Sequence, residues 1–216
     1  MKNGILFDLD GTLLDTLEDL ADAVNHVLRQ FGYPERTVGE VRRFVGNGAA
    51  LLIQRAVPEG ADPEPVLAAF RAFYDAHCQV KTKPYEGILD ALAELREAFT
   101  IAVVSNKPDS AVKALCADYF PGVYAWGESA DCPRKPAPDM VRKAMETIGV
   151  ERCVYVGDSE VDVATANNAG VPCLTVLWGF RDRDELVAAG AKHFCDEPKN
   201  LPMAVKDLLL ADAAST

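Results

Sequence analysis

From Lys83 onward, apolar runs of four or five residues alternate with helix-patterned stretches, and this alternation constrains the fold more than anything else in the chain. The runs Ile101–Val104, Val123–Trp126, Cys153–Val156 and Cys173–Leu177 read as buried strands, with a shorter one at His193-Phe194. Between and around them, the apolar spacing predicts helices from Ile88, over Ala111–Ala117, Met140–Ile148, Val161–Ala169 and Asp184–Ala189, and from Pro202 to Leu210. Strand and helix in strict succession imply right-handed β-α-β units, hence an α/β fold with a mostly parallel sheet covered on both faces.

The N-terminal run Ile5-Leu6-Phe7, which ends in an acidic cluster and Gly11, belongs to the same sheet. Between it and the alternating region, about Thr16 to Val80, no strand pattern appears. Leu17, Leu20, Val24, Val27 and Phe31 recur at helical spacing, and Val66, Phe70 and Tyr74 do so again. Gly46-Asn47-Gly48 breaks the pattern between Val38 and Val57 into two helices. An all-helical unit, residues 16–80, is therefore inserted after strand one, and residues 1–15 and 81–216 form the core. Ala211 to Thr216 reads as a frayed tail.

In an open parallel sheet, ligands bind at the carboxyl ends of the strands. Strand one ends in Asp8-Leu9-Asp10-Gly11-Thr12, Ile101–Val104 ends in Ser105-Asn106-Lys107, and Cys153–Val156 ends in Gly157-Asp158-Ser159-Glu160, with Asp162 beyond. Lys135 precedes the helix that leads into that last strand. Several carboxylates at one edge repel, and burial raises their pKa values unless a cation compensates. A hard divalent ion such as Mg²⁺ takes one or two carboxylates together with phosphate oxygens, while lysine and hydroxyl groups suit the phosphoryl oxygens. Together these groups describe phosphoryl transfer through an aspartyl phosphate.

Composition limits the alternatives. The net charge of −11 provides no basic footprint for nucleic acid. No apolar run approaches the ~20 residues of a membrane span, and no signal peptide is visible. The six scattered cysteines contain no Cys-x-x-Cys and read as reduced thiols, so the expected location is cytoplasmic.

Four segments, Phe7–Thr16, Val104-Ser105-Asn106, Arg134–Pro138 and Val156–Asp162, resemble in content and order the four motifs of the haloacid dehalogenase-like superfamily. The resemblance covers essentially the whole chain. It implies a Rossmann-like core with a helical cap inserted after the first motif. It also implies roles: Asp8 as nucleophile, and Asp10 as acid and then base, its carbonyl joining Asp8 and Asp158 on Mg²⁺ with Asp162 at or near the metal. Ser105 and Lys135 bind the phosphoryl group, helped by Gly11, Thr12 and Asn106. Dehalogenases of the superfamily lack the equivalent of Asp10, so hydrolysis at phosphorus is expected. The 16–80 segment contains no lysine for a phosphonatase Schiff base, and Leu20 stands where hexose-phosphate mutases keep a histidine.

The cap sequence Val41–Gly48, together with Tyr74-Asp75, Pro84–Gly87 and Asn106-Lys107-Pro108, is similar to phosphoglycolate phosphatases. Gly46 and Gly48 would let backbone approach a small substrate, with Asn47 between them, and Arg42 or Arg43 would pair with its carboxylate. The expected partner is a small phosphorylated metabolite, with no nucleic acid or membrane, and the expected state a monomer or small homo-oligomer. Hydrolysis of sugar phosphates, nucleotides or pyrophosphate is the alternative within this chemistry. A non-catalytic binding protein on the same fold is the alternative outside it. Asp15 and Thr16 read as the cap of the first helix, and Glu18, Asp19 and Asp22 as its solvated face.

Overall fold

In a computed structural model, residues 2–214 of the chain are described. The main sheet has six parallel strands in the order β5-β4-β1-β6-β7-β8: β1 Asn3–Phe7, β4 Thr100–Pro108, β5 Tyr124–Glu128, β6 Arg152–Gly157, β7 Cys173–Val176 and β8 His193–Cys195. Helices α5 Ile88–Arg96, α6 Asp109–Tyr119, α7 Asp139–Ile148, α8 Glu160–Ala169, α9 Arg183–Ala188 and α10 Leu201–Ala214 follow the strands. Strand β1 is central. Its residues Ile5 and Phe7 enter one hydrophobic cluster and Leu6 enters another, the period-two alternation of a strand buried on both faces. The chain is thus α/β with a Rossmann-like parallel sheet, as expected.

Four helices lie between β1 and the rest: α1 Leu17–Gln30, α2 Val38–Phe44, α3 Ala49–Ala56 and α4 Pro63–His77. They have their own buried cluster, which includes Val24, Leu28, Ile53, Val66 and Phe70. Helix α2 opens with a capping box, in which Thr37 accepts from the Glu40 amide while the Glu40 side chain accepts from Thr37. Helix α4 is capped by Asp62, whose side chain accepts the Glu64 amide, and begins with Pro63, where the missing N–H costs nothing.

Four local expectations change. First, strand β4 runs to Pro108, well beyond Val104. Ser105, Asn106 and Lys107 are buried within the strand, and their polar side chains face partners supplied by the site. Second, the two connections to the helical segment pair with each other, β2 Leu14–Asp15 against β3 Lys83–Pro84, antiparallel. Third, Asp19 is buried, and its carboxylate accepts the amides of Lys81 and Thr82 at 2.8–3.0 Å. Asp15, rather than Thr16, accepts the first-turn amide of Leu17 (3.3 Å), and the buried Thr16 hydroxyl has no partner among the described residues. Fourth, α10 continues through Ala211 to Ala214, because alanines sustain helices and Asp212 pairs with Arg152 at 2.7 Å. Ser215 and Thr216, the rest of the expected tail, lie outside the described residues.

Candidate active site

The carboxyl ends of β1, β4 and β6 converge as the strand order requires, since β1 lies between the other two. Asp8 follows β1 directly. Its Oδ1 accepts the Leu9 amide at 2.7 Å and lies 2.9 Å from Lys135 Nζ. Its second oxygen has no protein partner among the described residues. Lys135 is fully buried, donates to Asp162 Oδ1 (2.8 Å) and the Tyr155 hydroxyl (3.0 Å), and so links two carboxylates. Burial alone would lower its pKa, but the charges of Asp162 and Asp8 outweigh that and hold it well above the usual lysine value.

The motif Gly157–Asp162 places its acids through a capping box. Ser159 is the N-cap of α8, its hydroxyl donates to Asp162 Oδ2 at 2.6 Å, and the amides of Asp158 and Ser159 donate to the same oxygen. Both Asp162 oxygens are therefore saturated by protein. Asp158 is held differently, by the Thr12 hydroxyl on Oδ1 (3.0 Å) and the Phe180 amide on Oδ2 (2.7 Å). Carboxylate oxygens of Asp8, Asp158 and Asp162 all lie within 4.8 Å of one another. Burial raises Asp8 to about 7 and Asp158 to about 8, and the neighbouring carboxylates add to both shifts. Such a buried, mutually repelling oxygen cluster has the donor chemistry of a hard divalent cation.

Asp10 is paired with a buried cation from the end of β4. Lys107 Nζ lies 3.0 and 3.2 Å from its two oxygens and donates to Tyr74 of α4 at 2.7 Å. Asp8, Asp10, Ser105, Asn106, Lys107, Asp158 and Ser159 form the floor of a cavity. Its roof comes from Leu20, Val45, Gly46, Gly48, Ala49, Leu52, Phe70, Arg71, Tyr74 and Asp75 of the helical segment.

Several expected contacts to a phosphoryl group are used elsewhere. The Gly11 amide donates to Leu14 O and the Thr12 amide to Leu9 O, closing the turn after β1, and the Thr12 hydroxyl holds Asp158. The Asn106 side chain accepts the Lys135 amide (2.7 Å) and donates to the carbonyls of Lys135 (3.0 Å) and Gly46 (3.2 Å), so it positions the lysine. Ser105, buried at the end of β4, does line the cavity. In the helical segment, Arg42 donates to Gly179 O and pairs with Asp182, and Arg43 is exposed. Neither they nor Asn47 line the cavity, whereas Gly46 and Gly48 do. At Gly48 the backbone has φ +83° and passes the Asn106 carbonyl, a place suited to glycine.

The segment after β7, Trp178 to Arg181, is also part of the site. Trp178 donates to Thr12 O at 2.9 Å, and Phe180 binds Asp158 and packs into the cluster of the helical segment. A Cβ on Gly179 would overlap the Asp158 side chain and the Gly11 carbonyl. Arg181 pairs with Glu160 and donates to the carbonyls of Arg42 (3.0 Å) and Val45 (2.7 Å) at the end of α2. Arg71 carries one legible signal: it lies four residues after Leu67 and three before Tyr74, at the edge of the buried face of α4.

The family model for haloacid dehalogenase-like hydrolases matches residues 5–176. Phosphoglycolate phosphatase 1 of Pseudomonas aeruginosa is 35% identical over 189 residues, 82% of this chain and 70% of that one. Phosphoglycolate phosphatase of Rhodobacter capsulatus is 35% identical over 193 residues, covering 84% and 87%. A crystal structure from Lactobacillus delbrueckii subsp. bulgaricus superposes with a TM-score of 0.90 at 37% identity, over 95% of this chain and 99% of that one. The chain belongs to the haloacid dehalogenase-like hydrolase family. Within that family it is an enzyme of the phosphatase type. Among the described residues, no helix is long and apolar enough to cross a membrane.

Proposed function

We propose that the chain is a Mg²⁺-dependent phosphomonoesterase that acts through a phosphoryl group on Asp8, with 2-phosphoglycolate as substrate. The observation that carries this reading is the environment of Asp8. One oxygen is fixed by Lys135 and the Leu9 amide, and the other has no partner among the described residues, with Asp8 and Asp10 lining the same cavity. The named relatives support phosphoglycolate as substrate. CbbY of Rhodobacter sphaeroides, solved in complex with phosphate, superposes with a TM-score of 0.75 at 26% identity over 95% of this chain and 100% of that one.

Asp8 and Asp158, with the Asp10 carbonyl, would hold the magnesium ion, and Asp162, its oxygens saturated, would act by holding Lys135 and Ser159 in place. The bound ion supplies Lewis-acid charge to the phosphoryl oxygens. A carboxylate oxygen of Asp8 attacks phosphorus as the bond to the glycolate oxygen breaks, and Asp10 donates its proton to that oxygen. Lys135 and Ser105 balance the charge on the transferring group. Asp10, now a carboxylate beside Lys107, takes a proton from water as it attacks the phosphoaspartate, which releases phosphate and restores Asp8.

Residues 16–80 act as the cap and residues 1–15 and 81–216 as the core, a division supported by the separate cluster of α1–α4 and the paired links β2 and β3. Cap opening would admit substrate and closure would exclude water. The net charge of −11 argues against a nucleic-acid or anionic-membrane partner, and the cavity suits a small metabolite. A cytoplasmic location and a monomeric or small homo-oligomeric state complete the reading. A kcat/KM panel with Mg²⁺ tests the substrate: several other phosphates hydrolysed tenfold faster than phosphoglycolate would overturn it.

A further inference from the structure

A phosphocarboxylate places a second negative charge above a floor that already holds Asp8, Asp10 and Asp158, so its recognition requires a cation in the roof. Among the described residues three cationic side chains line the cavity: Arg71, Lys107 and Arg181. Lys107 is held by both oxygens of Asp10 and by Tyr74. Arg181 is held by Glu160 and by two carbonyls of the α2 end. The Arg71 side chain makes no ion pair or hydrogen bond with any described residue, not even with Asp75 one helical turn further on. The cap arginines that the sequence put forward, Arg42 and Arg43, lie outside the cavity.

We propose that Arg71 is the specificity-determining residue of the cavity, a guanidinium on α4 that binds the carboxylate of a small phosphocarboxylate leaving group. The proposal deepens the phosphoglycolate reading and rests on it for the orientation of substrate, phosphoryl group down and carboxylate toward α4. Two features of the roof fit this role. Most of the remaining lining, Leu20, Val45, Ala49, Leu52 and Phe70, is apolar and offers a carboxylate no competing donor. Leu67, Phe70 and Tyr74 are buried on the same helix, so the backbone that carries Arg71 is fixed while its side chain is exposed and able to adjust. A planar guanidinium meets a carboxylate with two parallel hydrogen bonds, which a lysine does not reproduce.

The test compares 2-phosphoglycolate with 2-hydroxyethyl phosphate, which replaces the carboxylate by a neutral CH₂OH, and adds longer phosphocarboxylates. Steady-state kinetics with Mg²⁺ would be run on the wild type, Arg71→Ala, Arg71→Lys and, as a nearby cation outside the lining, Arg134→Ala. Arg71→Ala should lower kcat/KM for the phosphocarboxylate by about 10–100-fold, mostly through KM, and for hydroxyethyl phosphate by no more than about threefold. Arg71→Lys should recover part of the loss. Arg71 is exposed, so melting temperatures of the variants check that folding is intact.

Equal losses on both substrates, no loss on either, or a carboxylate preference removed by Arg134→Ala would each overturn the proposal. So would a wild type that prefers neutral phosphates throughout. A wild type that favours a longer phosphocarboxylate over phosphoglycolate, and loses that preference in Arg71→Ala, upholds the role of Arg71 and sinks only the phosphoglycolate reading.

Discussion

Asp158 is gripped by groups from two distant parts of the chain, Thr12 and Phe180, and Gly179 leaves it no room to move. Gly179→Ala should therefore displace a metal-binding carboxylate without adding any charge. We expect Mg²⁺ affinity to fall at least about tenfold, as measured by activity against Mg²⁺ concentration, since perturbing groups that hold a ligand commonly costs 10–100-fold. Asp8→Asn, nearly isosteric, should abolish turnover while leaving the melting temperature near that of the wild type; residual phosphatase activity above background would mean that another group attacks phosphorus. Reading strand ends located Asp8, Asp10, Ser105 and Asp158 at one edge, because the topology of a parallel sheet fixes where those ends lie. Lys135, in the connection before α7, was placed by its motif instead. The roles of Gly11, Thr12 and Asn106 were not legible in the same way. A motif gives the position of a donor, whereas its partner depends on how the turn closes, and these donors close the turn or hold Asp158 and Lys135. Arg42 and Arg71 show the same limit on a helix, where one turn of phase decides whether a side chain reaches the cavity or the β7 loop.

At the level of elements, the informative places are the joints. Asp19 on α1 accepts both amides of the second link, Lys81 and Thr82, and so fastens the start of the helical segment to its end. Asp19→Ala would leave those donors without partners, one of them buried, at a cost of about 1–3 kcal/mol. The urea midpoint should drop accordingly, and the Lys81 and Thr82 amides should exchange with solvent faster. Unaltered exchange at these two positions would show that the clasp does not restrain the link. The sequence hid this contact because a carboxylate among Glu18 and Asp22 looks solvated, and only the return of the chain at residue 81 buries it. Strand β4 was underestimated for a related reason. Hydrophobic patterning ends at Val104, yet pairing with β5 resumes at Pro108 after a register shift, and the site supplies partners for the polar residues between. Where polar residues are buried for function, hydrophobicity understates the length of an element.

Over the whole molecule, the acidic cluster links metal, protons and stability. Without metal, burial raises Asp8 to about 7 and Asp158 to about 8, from an ordinary value of 3.8. Between about pH 4 and pH 8 the folded state therefore binds more protons than the unfolded state. The unfolding free energy then falls as pH rises through that window, by up to ~1.4 kcal/mol per pH unit for each group, and levels off above it. In EDTA, melting temperature should decline from pH 5 to pH 8. Magnesium reverses this cost, because it takes the place of the protons and binds only the folded arrangement, so its stabilising effect should grow with pH. Calorimetry at pH 5.5 and pH 8, with and without Mg²⁺, measures both trends. General repulsion in a chain of net charge −11 also steepens with pH, so the decisive comparison is Asp158→Asn. That variant removes one titrating group and leaves the rest of the surface as it is. Its metal-free melting temperature should fall less steeply with pH than that of the wild type, and its response to Mg²⁺ should shrink at pH 8. Parallel slopes for the two proteins would show that the decline comes from overall charge, with the cluster playing no part in it.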